Sequence, residues 1–123
     1  MADEITLNFQ LIVNNGNFVD RINPPALRFD QSTIGVAGGV QIIDYAGETA
    51  IDLGDLSVPG LAYFRNLDVA NFVDLGPTES ATMISATRLY PGQVAIMPLV
   101  PGKGYNAQAD TAAVKLDVRI YET

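Results

Sequence analysis

The sequence predicts an all-β fold, an antiparallel β-sandwich of jelly-roll-like type in which residues 1–123 form a single domain. Apolar residues recur at every second position in most segments, which is the spacing of a strand with one buried face. Turn-favouring pairs such as Asn15-Gly16 and Pro91-Gly92 separate these segments. No segment has sustained apolar spacing of three and four residues, so no helix is predicted. We expect antiparallel sheets because they allow one face to stay in water.

The first part of the chain is predicted to form a hairpin. The alternation of residues 5–14 indicates a strand, and Asn15-Gly16 supplies the positive φ angles of a tight turn. Residues 18–22 are therefore expected to pair with the first strand. Pro24-Pro25 ends that ladder because proline has no amide hydrogen, and a new strand begins at Leu27.

Glycine interrupts the pattern between residues 35 and 54, where short apolar pieces occur at residues 40–43 and 50–53. Gly38-Gly39 marks a bulge, a close backbone approach or, in the interpretation that we favour, a flexible hairpin loop. Further strands are predicted at residues 61–67, 71–75, 81–89, 93–99, 105–109 and 114–122. Gly76-Pro77 is predicted to be a turn between two of them.

Alternation also predicts which side chains face the core. The residues expected to point inward are Leu7, Phe9, Leu11, Val94, Ile96, Leu116, Val118 and Ile120. Residues 1–4, a segment that is acidic through Asp3 and Glu4, are expected to form a flexible N-terminal arm. This arm can add to the sheet edge of a neighbouring molecule or simply fray.

The composition argues against an enzyme. The chain contains no histidine and no cysteine, the two most versatile side chains of catalysis and metal binding. We therefore predict no catalytic residue, no cofactor-binding residue, no metal ligand and no cofactor. The net charge of −7 and the scattered arginines argue against binding to nucleic acid or to an anionic membrane. Neither a signal peptide nor an apolar stretch of transmembrane length is recognised.

Carboxylates provide the remaining routes to chemistry. Asp44 and Glu48 flank Gly47, and Asp52 and Asp55 flank Gly54. Such a pair suits glycoside hydrolysis if its spacing is right, and Asp52 with Asp55 suits a calcium site. We favour ordinary turn carboxylates that accept hydrogen bonds from local backbone amides.

The other candidate groups also have a structural interpretation that we favour. The serines have no imidazole to activate them; they are Ser32, Ser57, Ser80 and Ser85. Lys103 lies between glycines but lacks the leading residues of a phosphate-binding loop, so it is interpreted as a turn lysine. Six aromatic residues suit either a sugar-stacking platform or core and interface packing, the second being favoured: Tyr63, Phe64, Phe72, Tyr90, Tyr105 and Tyr121.

Four phrases in the C-terminal two-thirds of the chain resemble, in the same order, small virion structural proteins of tailed bacteriophages. They are Leu61-Ala-Tyr-Phe-Arg-Asn-Leu-Asp68, Asn71-Phe-Val-Asp-Leu-Gly76, Leu89-Tyr-Pro-Gly-Gln-Val94 and the Ala-rich residues 105–114. They are turn-and-strand phrases without a catalytic signature. The resemblance implies an all-β protein that acts as a capsid cement or decoration protein, or as a tail or fibre component.

The leading hypothesis is a homotrimeric capsid cement protein whose partners are copies of itself and the major capsid protein. It would reside on the capsid exterior, and in the host cytoplasm during assembly. A hydrophobic content of 48% supports self-association, because a single sandwich would leave an apolar patch uncovered. A tail or fibre component, a carbohydrate-binding jelly-roll module and a carboxylate-only hydrolase are the alternatives.

Overall fold

The computed structural model describes residues 4–31, 36–54, 56–80, 82–100 and 102–123. These residues form thirteen strands and no helix, and all strand pairs are antiparallel, which confirms the predicted all-β class. The strands are β1 Ile5–Leu7, β2 Leu11–Asn15, β3 Phe18–Ile22, β4 Leu27–Phe29, β5 Val36–Ile43, β6 Thr49–Ala50, β7 Pro59–Asn66, β8 Val73–Glu79, β9 Thr82–Met83, β10 Thr87–Leu89, β11 Val94–Pro98, β12 Tyr105–Ala109 and β13 Val114–Glu122. Within the described ranges, no helix is long and apolar enough to cross a membrane.

The chain divides into two compact units, Met1–Ser32 and Thr33–Thr123. In the first unit β1 pairs with β4, and β2 pairs with β3 across Asn15-Gly16, where Gly16 has the φ of +59° that a tight turn requires. The predicted hairpin is confirmed. The single strand predicted at residues 5–14 is instead two strands, because β1 and β2 have different partners.

The predicted N-terminal arm falls mostly outside the described residues. Residues 1–3 are not described, and Glu4 accepts a hydrogen bond from the Gln31 amide at 3.1 Å through its Oε2 atom. This bond joins the start of the first unit to the residues that follow β4.

The second unit is a jelly roll, as its strand pairing demonstrates. β5, β6, β7 and β8 pair in turn with β13, β12, β11 and β10, which makes one long antiparallel double ladder. Additional pairing of β7 with β13 and of β8 with β12 rolls that ladder into two sheets. Their orders are β11-β7-β13-β5 and β10-β8-β12-β6, with β9 beside β8. The predicted sandwich of jelly-roll-like type is confirmed.

The core lies between these two sheets. Its buried side chains come from both, and include Ile43, Phe64, Val73, Leu75, Val114, Leu116, Val118 and Ile120. The inward orientation predicted for Leu116, Val118 and Ile120 is confirmed. In β13 these residues alternate with more exposed neighbours along the whole strand, so its sequence pattern leaves one choice of buried face.

The predicted orientation of β11 is wrong. Val94 and Ile96 are 46% and 43% exposed, whereas Ala95 and Met97 face the core opposite Phe64 and Ala62 of β7. Both faces of this strand are apolar, so alternation alone cannot identify the buried one. Pairing with β7 determines which face of β11 is buried, because Ala95 lies directly opposite Phe64 and Phe64 is fully buried.

The inward orientation predicted for the first unit also fails in part. Phe9 and Leu11 are exposed, and Leu7 is only partly buried. Residues 8–10 belong to no strand, so the alternation of residues 5–14 does not describe one continuous surface.

Two glycine-containing pairs predicted as loop or turn lie inside strands. Gly38-Gly39 is part of β5, where a Cβ at Gly38 would overlap the carbonyl oxygen of Val118, so close backbone approach is the correct explanation. Gly76-Pro77 is part of β8, where a Cβ at Gly76 would overlap the carbonyl oxygen of Ile84. The favoured loop at the first pair and the turn at the second were wrong predictions.

Pro77 is tolerated in β8 because of its position in the ladder. The next residue, Thr78, donates its amide to Gly104 at 3.0 Å, so the nitrogen of Pro77 points away from β12. The strand predicted at residues 81–89 is accordingly interrupted. It forms β9 and β10, and between them Ile84 and Ala86 donate backbone hydrogen bonds to Pro77 and Leu75.

Candidate interaction surfaces

One side of the sheet β11-β7-β13-β5 faces away from the core, and we call it the outer sheet face. Directly paired residues of neighbouring strands lie on the same face. The pairing places one row across the sheet as Val40, Asp117, Arg65 and Val94. The outer sheet face comprises Val36, Gly38, Val40, Ile42, Leu61, Tyr63, Arg65, Val94, Ile96, Pro98, Lys115, Asp117, Arg119 and Tyr121. Of these residues, Leu61 is buried.

The outer sheet face has a charged centre and apolar margins. Its central strands contribute three cations and one carboxylate, a net charge of +2 in a chain of −7, so the remainder of the chain carries −9. The edge strand β5 contributes exposed Val40 and Ile42, and the edge strand β11 contributes exposed Val94 and Ile96. Among the described residues, the three cations of this face form no ion pair, since the salt bridge found lies elsewhere.

A shallow depression interrupts the outer sheet face near β5. It has a volume of about 300 Å³ and is lined by Val36, Ala37, Gly38, Gly39 and Arg119. A Cβ at Gly38 would overlap the carbonyl oxygen of Val118, which excludes any larger residue at that position. The depression is therefore a concave spot with mixed polar and apolar walls, beside the side chain of Arg119.

The outward side of the other sheet is different, because its polar groups are paired internally. Arg88 donates two hydrogen bonds to Asp74, from Nε to Oδ1 at 2.7 Å and from Nη2 to Oδ2 at 3.1 Å. The same guanidinium lies 3.8 Å from the centroid of the Phe72 ring, and the edge of Tyr90 packs against that ring at 6.0 Å. Bonding to Asp74 raises the pKa of Arg88 above its usual value. The charges of Arg88 and Asp74 on this side are thus satisfied by each other.

A third surface is the β2–β3 hairpin of the first unit, in which all ten strand residues are exposed. The pairing divides its side chains between two faces. One face, which we call the hairpin apolar face, carries four apolar residues together with Asn15 and Asp20; the four are Leu11, Val13, Phe18 and Ile22. The opposite face carries Ile12, Val19, Asn14 and Arg21.

The turn carboxylates act as backbone acceptors. Asp44 Oδ1 accepts from the amides of Tyr45 and Ala46, and Asp52 Oδ1 accepts from Gly54 at 2.8 Å. Glu48 Oε1 accepts from the Met83 amide at 2.8 Å and from Asn106 Nδ2 at 2.9 Å.

The calcium alternative rests on Asp52 together with Asp55. Asp55 lies outside the described residues. Over the part of the chain that is described, no three metal-ligating side chains converge.

The remaining sequence candidates do not assemble into one site. Ser32 lies outside the described residues, and Ser57 donates its amide to the buried Glu122 carboxylate at 2.9 Å. Ser80 and Ser85 are exposed, and the Lys103 amide donates to Val100 within a turn. These positions are occupied by structural hydrogen bonds or lie on separate loops.

The six aromatic residues are distributed over three environments. Phe64 is fully buried in the core, and Tyr105 packs against the core at its margin. Phe72 and Tyr90 belong to the Arg88 stack, whereas Tyr63 and Tyr121 lie on the outer sheet face. They form no shared platform of six rings.

A buried corner around Asn66 was not anticipated from the sequence. Asn66 is fully buried, and its Nδ2 donates to the carbonyl oxygens of Asn71 and Leu89, both at 2.9 Å. Its Oδ1 accepts from the Asp68 amide at 2.8 Å. The phrase Arg-Asn-Leu-Asp at residues 65–68 was the available signal, because Asx residues at a strand end bond to local backbone.

Asp68 completes this corner and gives a pH dependence that can be tested. Its Oδ2 accepts hydrogen bonds from Asn71 at 2.6 Å and from Ala70 at 3.0 Å, and these bonds lower the pKa of Asp68 below its ordinary value of 3.8. A lowered folded-state pKa stabilises the protein above the unfolded pKa, and that contribution is lost as pH falls through the folded value.

We therefore expect the stability difference between wild type and Asp68→Asn to be largest near neutral pH and to shrink below about pH 4. Urea unfolding of both proteins at a series of pH values measures this difference. A difference that stays constant from pH 7 to pH 2 would contradict the role of the ionised carboxylate. Asp110→Asn, at an exposed position, is the control.

The outer sheet face and the hairpin apolar face expose apolar side chains together with charges that form no ion pair among the described residues, whereas the carboxylates near turns are bonded to backbone. Comparisons of the chain with protein-family models, with curated proteins and with solved structures find no match.

Proposed function

We propose that this chain is a structural protein of a phage virion, a cement or decoration protein that binds the major capsid protein and stabilises the shell. The resemblance of its turn-and-strand phrases to small virion proteins of tailed bacteriophages is one support. The jelly-roll topology is a second, because this architecture is common in viral capsid domains. Fold analogy alone does not establish a function, so the surfaces carry the proposal.

The main observation is the concentration of exposed apolar side chains on two surfaces, the outer sheet face and the hairpin apolar face. Exposed apolar patches of this kind on small domains mark protein contacts. The first surface also carries cations without ion-pair partners in the described residues, which provides specificity for an acidic partner surface.

The proposed assembly is a homotrimer on the capsid exterior, formed after synthesis in the host cytoplasm. Cyclic symmetry allows a small protein to cover its own apolar surface. Several copies bound together on a symmetric shell would turn weak individual contacts into high avidity. The net charge of −7 would disfavour binding to the packaged nucleic acid.

Binding to capsids that lack the protein tests this proposal. Purified protein is expected to cosediment with such capsids at a fixed stoichiometry and to raise the temperature at which they rupture. A jelly roll of similar charge from an unrelated protein is the control. Absence of cosedimentation across the micromolar range, with folded protein, would contradict the cement function.

A tail or fibre location is the second candidate within the same class, and binding to tails but not to capsids would favour it. Carbohydrate binding has weaker support, since the aromatic rings lie in separate environments and the chain has no tryptophan. Binding to an immobilised glycan set at micromolar concentration would favour that alternative.

A further inference from the structure

We propose that the hairpin apolar face of one copy docks on the outer sheet face of a second copy, so that the chain associates head to tail. This inference deepens the proposed function and rests on it only for the biological setting of the oligomer. The hairpin is the starting observation, because both of its faces are exposed along its full length. An isolated two-stranded hairpin is marginally stable in water, and a protein surface against one face would stabilise it.

Charge identifies which hairpin face makes the contact. The hairpin apolar face carries Asp20 and no cation, whereas the opposite face carries Arg21 and no carboxylate. The outer sheet face has a net charge of +2, so it attracts the hairpin apolar face and repels the opposite face of the hairpin. Apolar content agrees with this choice, since the hairpin apolar face has four large apolar residues and the opposite face has two.

The shape of the outer sheet face provides an anchor position. Phe18 is the one aromatic residue of the hairpin strands and is 60% exposed. The depression beside Gly38 is lined by Val36, Ala37 and Arg119, and a guanidinium group next to aliphatic side chains suits an aromatic ring. A five-residue strand spans roughly 17 Å, a length that β5 can accommodate along its exposed residues.

The contact joins two different surfaces, so it is heterologous. Each copy donates one hairpin and receives one, and such a contact makes a ring when the rotation closes. This arrangement explains why both apolar surfaces occur on one chain. It also predicts that a disruptive substitution in either surface abolishes association. A variant with a defective hairpin and a variant with a defective outer sheet face should still bind each other, because each retains the surface that the other lacks.

Single substitutions with matched controls test each surface. Phe18→Lys, which places a cation against the positive outer sheet face, is expected to make the protein monomeric, whereas Val19→Lys, the neighbouring residue on the opposite hairpin face with 63% exposure, is expected to leave association intact. Ile42→Asp is expected to make it monomeric, whereas Ile84→Asp, outside the outer sheet face and 53% exposed, is not. Light scattering on a size-exclusion column measures the mass, and circular dichroism checks folding. If a charged variant fails to fold, Phe18→Ser or Ile42→Ser replaces it.

Mixing the two defective variants is the decisive experiment. Phe18→Lys retains an intact outer sheet face, and Ile42→Asp retains an intact hairpin, so an equimolar mixture is expected to form a 1:1 complex of twice the 13.1 kDa chain mass. A hairpin-to-hairpin contact would instead leave Ile42→Asp associated by itself. A face-to-face contact would leave Phe18→Lys associated by itself.

The proposal is overturned if the wild type is monomeric at 100 μM, if either defective variant still associates alone, or if their mixture yields no complex. These measurements use the protein in solution without capsids, so they are independent of the proposed function. Capsid binding by a monomeric wild type would refute this docking and leave the cement function intact. Head-to-tail association without capsid binding would refute the cement function and leave this docking intact.

Discussion

Val118→Asp is expected to unfold the protein. Val118 is 1% exposed and lies in the central strand β13, between the pairing strands β5 and β7. A carboxylate there would be buried without a partner, which costs several kcal/mol against a total stability of about 5–15 kcal/mol for a typical domain. Far-ultraviolet circular dichroism and urea unfolding measure the result.

Val94→Asp is the matched control, because it introduces the same change on the same sheet at a residue that is 46% exposed. Its expected effect on the unfolding free energy of the monomer is below about 1 kcal/mol. The pair also tests the orientation of β11, since Val94 would be as sensitive as Val118 if it faced the core. Equal loss of stability in the two variants would contradict the observed register.

Asn66→Ala is expected to cause the second largest loss of stability, about 3–5 kcal/mol. The substitution removes three side-chain hydrogen bonds and leaves the carbonyl oxygens of Asn71 and Leu89 without that donor. A buried polar group that loses its partner costs about 1–3 kcal/mol. Urea unfolding at neutral pH gives the free energy of unfolding.

Two further variants separate the hydrogen bonds from the volume of the side chain. Asn66→Asp keeps the size and the acceptor but places an oxygen against two carbonyl oxygens, so it is expected to be at least as damaging. Asn106→Ala removes a single bond to Glu48 at a partly buried position, and its expected cost is about 1 kcal/mol. A loss below 0.5 kcal/mol for Asn66→Ala would contradict the account of this corner, on the scale of about ±0.5 kcal/mol that is usual for surface substitutions.

The sequence predicted the C-terminal strands best. The bounds of β12 and β13 match the prediction, because alternation there is uninterrupted and turn residues flank each strand. Prediction failed where local preference and long-range pairing disagree. Gly38-Gly39 and Gly76-Pro77 have turn composition, yet pairing with distant strands holds both pairs inside strands. Glycine is required at position 38 by the carbonyl group of Val118, far away in sequence, and at position 76 by the carbonyl group of nearby Ile84.

The candidate surfaces were harder to predict than the fold. Alternation separates two faces of β11 but cannot rank them when Val94 and Met97 are both apolar. The outer sheet face depends on the register of four strands, which brings Arg65 beside Asp117 across more than fifty residues of sequence. Alternation in the hairpin predicts one buried face, because apolar residues on strands ordinarily face a core, yet the strand residues of β2 and β3 are all exposed.

Cryo-electron microscopy of the native phage particle tests the central claim, the cement function, most directly. The proposal predicts jelly-roll density of this chain at repeated, symmetry-related positions on the capsid exterior, where capsid subunits meet. Within that density, each hairpin is expected to rest on the outer sheet face of a neighbouring copy. Density for this chain solely at the tail, or its absence from the particle, would contradict the claim.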